Sequence, residues 1–421
     1  MTEQLDLVQI VKRKGTGKTM SKALSDDDLH ALAPLLQSTN THAATKATLI
    51  TALIMLEKTD AESRWFEHKL QDPACQILPP DLYALFFTSP KSSMDQIIHN
   101  LLNHTDLSES DMNRGLDYVF DSRNNTTKKA VFLEALRLKE ETQLENHTAY
   151  NYLLNQSHHI QTPLPHVIDL ANPYDGFNRN LYCGVFLAPL FGSIGFPCVL
   201  HGIDAIGPKN GVNPSKLLQA MNKKTTHTLS EAAEQLMGNG WCYVDQSVFS
   251  PLLYEQKQLR LDMVKRPLLA TLEKILLPIR GQSTHLITGY THPPYKQKMT
   301  DLMAHSPMTQ GTLFRGVEGS TQLSLTKRIR YRTVQLNTHT EHFLDPPNMP
   351  NYDAPPNNCL ADSIDTGLAA LNGEPSPMRS ILLHTGSAIL DTLSLMPYAT
   401  AWNALDNALQ SGKALSHWTN S

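Results

Sequence analysis

The stretch "HVIDLANPYDGFNRN", His166 to Asn180, opens the half of the chain whose pattern decides the fold. Its first six residues are a short, apolar, β-prone run, and turn formers follow at once: Asn172, Pro173, Asp175, Gly176 and Asn178. Four more runs share that character, "FPCVLHG" from Phe196, "GWCYVDQ" from Gly240, "THLITGY" from Thr284 and "GTLFRGVEG" from Gly311. Between them lie helical segments such as "PSKLLQAM" from Pro214, "LSEAAEQLM" from Leu229 and "PYKQKMTDLMAH" from Pro294. Strands alternating with helices imply an α/β domain with a mostly parallel central sheet. "KRIRYRTVQL" and "TEHFL" then suggest an antiparallel β insertion, "PPNMPNYDAPPNN" a connector, and two helices close the chain.

Upstream, to about residue 157, the pattern is helical, with Ser and Asp caps and runs rich in alanine and leucine. Placing "LSDDDL" at Leu24 beside "LSESDM" at Leu107 aligns Lys46 with Lys129, Leu53 with Leu136, and Glu57 with Glu140. Both copies read as a capped helix, a polar connector and a second helix, so the expectation is a duplicated helical hairpin, Leu24 to Glu62 and Leu107 to Glu145. The expected divisions are a first helical repeat with its connector over 1–90, a second over 91–157, and the α/β domain over 158–421.

The totals narrow the class. The chain has 421 residues, 41% of them hydrophobic, enough for two or three domains with ordinary cores. There is no apolar run long enough to span a bilayer, and "MTEQLDLVQ" lacks the layout of a secretory signal, so a cytoplasmic protein without membrane contact is expected. Five scattered cysteines form no Cys-x-x-Cys pair, and the histidines form no ligand set, so no metal site is expected. A net charge of −4 gives no global pull toward nucleic acid; any such contact needs a local patch.

"VKRKGTGKTM", from Val11, looks at first like a P-loop, but the glycine required five residues before Gly17 is Lys12. A basic, glycine-rich connection between helices, Lys12 to Lys18, is the alternative.

The order of "LRLKEET", "IGFPCVLHG", "GWCYVDQSVFSP", "LNGEPSPMRSILLHTGSA" and "ALQSGKA" resembles the anthranilate phosphoribosyltransferases of glycosyltransferase family 3 over most of the chain. The resemblance implies a nucleoside phosphorylase/phosphoribosyltransferase-like fold, a helical N-terminal domain before the α/β domain, and a phosphorylated ribosyl ligand at the strand ends. It also implies a homodimer through the helical domain, which a fused second hairpin could cover from within, favouring a monomer.

Against the family's motifs the residues differ. Its Gly-Thr-Gly-Gly-Asp loop aligns with Ala171 to Asp175, where Pro173 has no N–H and Tyr174 blocks close backbone approach. Its Asn-x-Ser-Thr aligns with Asn180, Tyr182 and Cys183, its Lys-His-Gly with Leu200-His201-Gly202, and its magnesium-holding acidic pair with Thr321 and Gln322. The implied result is a lost magnesium site, no cofactor, and a protein outside tryptophan synthesis. "KRKGTGKTMS" and Tyr174 to Arg179 resemble instead a branch of the family implicated in nucleic-acid binding.

Candidate ligand residues are Asp175, Gly176, Asn178 and Arg179 at a strand's C-terminal end, His201 and Gly202 at the next, Lys209 in "GPKNG", and Lys265 and Arg266 before Pro267. Each has a plainer reading: a β-turn, a structural histidine, solvated lysines. Arg328, Arg330 and Arg332 fall on one face of a strand at period two. With Lys12 and Lys18 they could follow the phosphates of a single strand, or they form a charged edge that deters aggregation.

Overall fold

The computed structural model describes residues 6–18, 20–225, 227–336, 338–347 and 356–419. These divide into two compact units, one comprising Met1–Tyr152 with Glu255–Leu269, the other Leu153–Tyr254 with Ala270–Ser421. The first is helical. Its helices include α1 (Leu7–Lys14), α2 (Asp26–Gln37), α3 (Ala43–Met55), α4 (Asp60–Trp65), α5 (Pro80–Phe87), α6 (Ser93–Leu102), α7 (Glu109–Phe120), α8 (Thr126–Lys139) and most of α9 (Gln143–Gln156), whose last turn belongs to the second unit.

The repeat is visible in these boundaries, since α2, α3 and α4 start at one constant offset from α7, α8 and α9. It is also visible in one buried hydrogen-bonding device. The Glu62 carboxylate accepts the N–H of Thr59 at 2.8 Å and of Leu24, 38 residues back, at 3.0 Å. Glu145 repeats this with Thr142 at 2.7 Å and Leu107, again 38 residues back, at 2.8 Å. Each glutamate thus ties the start of one hairpin helix to the start of the helix after the hairpin. Each is paired with a buried lysine at 2.9 Å, Lys14 for Glu62 and Lys139 for Glu145. The second helices of the two hairpins, α3 and α8, pack on each other.

Lys12 to Lys18 is only partly a loop. "LVQIVKRK" is α1, because Asp6 caps it by accepting the Gln9 N–H and because Leu7, Ile10, Val11 and Lys14 are buried at helical spacing. The expected inter-helix loop therefore starts only after Lys14, and Lys12 lies in the last helical turn.

The second unit holds a seven-stranded sheet. With the two-residue parallel pair β1 (Ile160–Gln161) and β5 (Ile279–Arg280) set apart, the strands are β2 (His166–Ala171), β3 (Cys198–Gly202), β4 (Trp241–Asp245), β6 (Ser283–Gly289), β7 (Gln310–Phe314), β8 (Ile329–Gln335) and β9 (Thr338–Leu344). Their order is β4-β3-β2-β6-β7-β8-β9. The pairs from β4 to β7 are parallel, while β7–β8 and β8–β9 are antiparallel, the hairpin anticipated from "KRIRYRTVQL" and "TEHFL". The five parallel strands are buried almost throughout, as both-faced burial in an α/β sheet requires. Helix α10 (Gly184–Ser193), buried at every position, anchors a core that includes Phe186, Phe191, Trp241, Leu382 and Trp418. Among the described residues no helix is long and apolar enough to cross a membrane.

The sheet reverses direction of growth between β2 and β6, so the loops after these two strands flank a topological switch point, and those after β3 and β7 emerge from the strands next to them. In open α/β sheets that is where ligands bind.

Candidate functional site

Three loops build the site. The loop after β2, Asn172 to Cys183, makes a tight turn at Gly176, whose φ is +76°. A Cβ there would stand 2.4 Å from the Val212 carbonyl oxygen, so only glycine fits. Phe177 and Val212 exchange backbone hydrogen bonds at 2.8 Å, and the Gly211 N–H donates to the Asp175 carbonyl at 2.8 Å, which fixes this loop to the one after β3. The Asn178 side chain donates to the Lys209 carbonyl at 3.1 Å, and the Lys209 ammonium to the Gly176 carbonyl at 3.1 Å. Asn213 caps the following helix, Pro214–Ala220, and its side-chain amide holds the carbonyls of Tyr174 and Ile203.

The third loop, after β7, contributes Glu318. Its carboxylate accepts from the Lys209 ammonium at 2.9 Å, the Arg179 N–H at 2.9 Å, the Asn180 amide at 3.1 Å and the Asn178 N–H at 3.3 Å. Burial pushes the Glu318 carboxyl up, but these donors outweigh it and hold it below the usual range. Sequence inspection placed Asn178, Arg179 and Lys209 here and missed Glu318. The available signal was an acid between two glycines at a strand's C-terminal end.

His201 lies elsewhere, inside the unit. Its Nε2 is 2.8 Å from Asp169 and its Nδ1 2.5 Å from the Tyr174 hydroxyl. The carboxylate can only accept, so Nε2 carries the proton and Nδ1 accepts from the phenol. All three residues are buried, at 0% to 2% exposure, so the histidine is engaged in the core. Burial first, then the neighbouring Glu273, Tyr243 and Asp169, raise the Tyr174 phenol well above its ordinary value, so it stays protonated as donor. Gly202 ends β3 beside the Tyr243 ring.

Thr321 and Gln322 are turned inward. The Thr321 N–H and hydroxyl both donate to the Asn172 side-chain oxygen at 3.1 Å, and the Gln322 side-chain oxygen accepts the Cys183 N–H at 3.0 Å.

Lys265 and Arg266 belong to the helical unit. There the Lys265 ammonium donates to the Lys12 carbonyl at 3.1 Å, the Arg137 guanidinium to the Gly15 carbonyl at 2.6 Å, and the Lys18 ammonium to the Lys139 carbonyl at 3.4 Å. Burial, with Arg137 and Lys12 adding repulsion against a smaller pull from Glu134, pushes the Lys265 ammonium down to about 8. The arginines of the hairpin are countered by acids. Arg328 meets Asp345 at 3.1 Å, Arg332 meets Glu341 at 3.3 Å and Arg330 the same carboxylate at 3.7 Å, while Arg328 and Arg330 lie over the Phe343 ring.

The structure of anthranilate phosphoribosyltransferase from Thermus thermophilus superimposes with a TM-score of 0.62 at 15% identity, covering 77% of this chain and 97% of that one. That from Saccharomyces cerevisiae, in complex with PRPP and Mg, gives 0.65 at 15% identity, covering 78% and 97%. The fold is that of anthranilate phosphoribosyltransferase. In sequence the chain is similar to an anthranilate phosphoribosyltransferase of Clavibacter michiganensis, 22% identical over 71% of this chain and 85% of the relative. It is also 26% identical to an uncharacterized protein of Aquifex aeolicus over 52% of this chain; the match spans 65% of that relative, just under two thirds of its length. No family model matches.

Proposed function

We propose that this protein binds a phosphorylated ribosyl compound at the strand ends of its α/β unit, without magnesium, and does not carry out the anthranilate reaction of its structural relatives. The observation that carries this is the convergence of two consecutive backbone N–H groups, of Asn178 and Arg179, with the Asn180 amide and the Lys209 ammonium at the C-terminal edge of a parallel sheet. Such a cluster of donors suits the oxygens of a phosphoryl group. The residues do not fit magnesium. At the aligned positions stand the neutral oxygens of Thr321 and Gln322, both already engaged, where the ion favours carboxylates. Expelling pyrophosphate from a ribose carbon needs its developing charge neutralised, and this donor set supplies one lysine for it.

Thermal denaturation tests the reading. Ribose 5-phosphate at millimolar concentration is expected to raise the melting temperature equally with magnesium or a chelator, because ligand bound to the native state stabilises it. PRPP with anthranilate is expected to give no product. Turnover, or a shift that requires magnesium, would overturn the proposal.

A second reading, a non-catalytic protein that binds single-stranded nucleic acid, is favoured by one observation. Lys12, Lys18, Arg137 and Lys265 gather in the helical unit, where the Lys265 ammonium meets the Lys12 carbonyl, the Arg137 guanidinium the Gly15 carbonyl and Glu134, and the Lys18 ammonium the Lys139 carbonyl. Affinity through these residues would fall steeply with salt. The hairpin arginines support it less, since phosphates would compete there with Glu341 and Asp345.

A further inference from the structure

The donors at the strand ends are already saturated by the chain's own carboxylate. Glu318 has φ +50° and is followed by Gly319 at φ +80°. A non-glycine residue enters that left-handed region at a cost, so the turn is bent to present this side chain. The side chain is 2% exposed, although it arises from a short surface loop. It meets an ammonium, two backbone N–H groups and a side-chain amide, all supplied by the other two loops. The loop that carries the backbone donors is held from its other side, where the Cys359 thiol donates to the Asn180 carbonyl at 2.9 Å. That loop, and the Lys209 ammonium through its bond to the Gly176 carbonyl, thus have holds other than Glu318.

A carboxylate and a phosphate offer such donors the same thing, charged oxygens able to accept several hydrogen bonds at once. Internal anion and external oxyanion compete for one place. We propose that Glu318 is an intramolecular latch, its carboxylate occupying an oxyanion cradle that takes a phosphoryl group only when this side chain rotates away. This rests on the ligand reading given above and adds its regulation. Competition of this kind lowers the apparent affinity of a ligand by the fraction of molecules in which the cradle is open.

Calorimetric titration of the full chain with inorganic phosphate tests the latch. Glu318→Gln keeps the side chain's shape, removes its charge and points an N–H2 toward donors, so its phosphate affinity is expected to exceed wild type by about tenfold or more. Replacing Lys209 by Gln in that background is expected to abolish the gain. Should Glu318→Gln fold poorly, Glu318→Asp keeps the charge but retracts the carboxylate by one methylene, and is expected to bind phosphate more tightly than wild type. Equal affinity in wild type and both Glu318 variants overturns the latch. Ribose 5-phosphate, titrated in parallel, separates the two ideas. If it stabilises wild type while no Glu318 variant gains affinity for phosphate, the latch falls and the ligand reading stands. If the variants gain affinity for phosphate but ribose 5-phosphate binds no better than phosphate, the latch stands and the ribosyl assignment falls.

Discussion

His285 and His384 show at the level of single residues how burial makes stability depend on pH. His285 is 4% exposed, its Nε2 3.0 Å from His166 Nδ1, and His384 is fully buried with Nδ1 2.8 Å from the Tyr398 hydroxyl. Burial pushes both down to about 4, with His166 adding repulsion for His285. A folded pKa below the unfolded value of about 6.5 means that the unfolded chain takes up protons first as pH falls. The stability these groups confer is complete above about pH 6.5 and is lost progressively toward pH 4, at about 3 kcal/mol for each. Urea midpoints measured from pH 7 to 4.5 should fall, and His384→Gln should flatten the curve; a wild-type midpoint constant over that window would sink the argument. Legibility was uneven at this scale. Tyr174 was visible as an obstacle to a glycine-type loop, but its bond to His201 depends on two strands separated in sequence. Glu318 stayed hidden for the same reason, because only the assembled loops bring Lys209 and Arg179 to it.

At the level of elements, the hairpin repeat was legible because capping motifs and helix lengths are local signals. "LSDDDL" and "LSESDM" led to α2 and α7. The lysines that complete the device were not legible, since they differ between copies: Lys14 comes from α1, before the first hairpin, whereas Lys139 ends α8, inside the second. Burial alone would raise the Glu62 carboxyl, yet the Lys14 ammonium and the N–H groups of Thr59 and Leu24 bring it below its ordinary value. Its contribution is therefore present above the unfolded carboxyl range and disappears as pH falls through the lower folded value. Glu62→Gln leaves Lys14 buried without its charge partner, whereas Glu145→Gln removes one of the two acids paired with Lys139. Removing one member of a buried pair costs about 3–5 kcal/mol, so Glu62→Gln should lower the unfolding free energy by that order. Glu145→Gln should cost less, because Asp106 still meets Lys139 at 2.6 Å. Equal losses in chemical denaturation would contradict the difference drawn between the copies.

At the level of the whole molecule, the sheet order and the helical repeat bear on assembly. The parallel strands were legible from the alternation of apolar runs with helices, while the grouping of Glu255–Leu269 with the helical unit was not, because it depends on packing between distant segments. Thr45 donates to the Asp262 carbonyl at 2.5 Å within that unit. Helices α3 and α8, one from each hairpin, pack together, and Leu49, Leu53, Phe132 and Leu136 are all buried. In α3, 11 of 13 residues are buried, and in α8, 11 of 14, so both are enclosed core helices with no broad apolar face left for another copy. A two-fold homodimer needs a self-complementary patch on the surface, and here the two equivalent helices of one chain are spent on each other. We therefore expect a monomer in solution, with the duplicated hairpins forming a pseudo-dimer inside one chain. Light scattering at micromolar concentration should return the mass of a single 47.0 kDa chain. Substituting charge into the pair, as in Leu53→Asp, should unfold the helical unit instead of dissociating an oligomer, since the face it disrupts is internal. A stable dimer that Leu53→Asp converts into a folded monomer would place that face between subunits and defeat the pseudo-dimer.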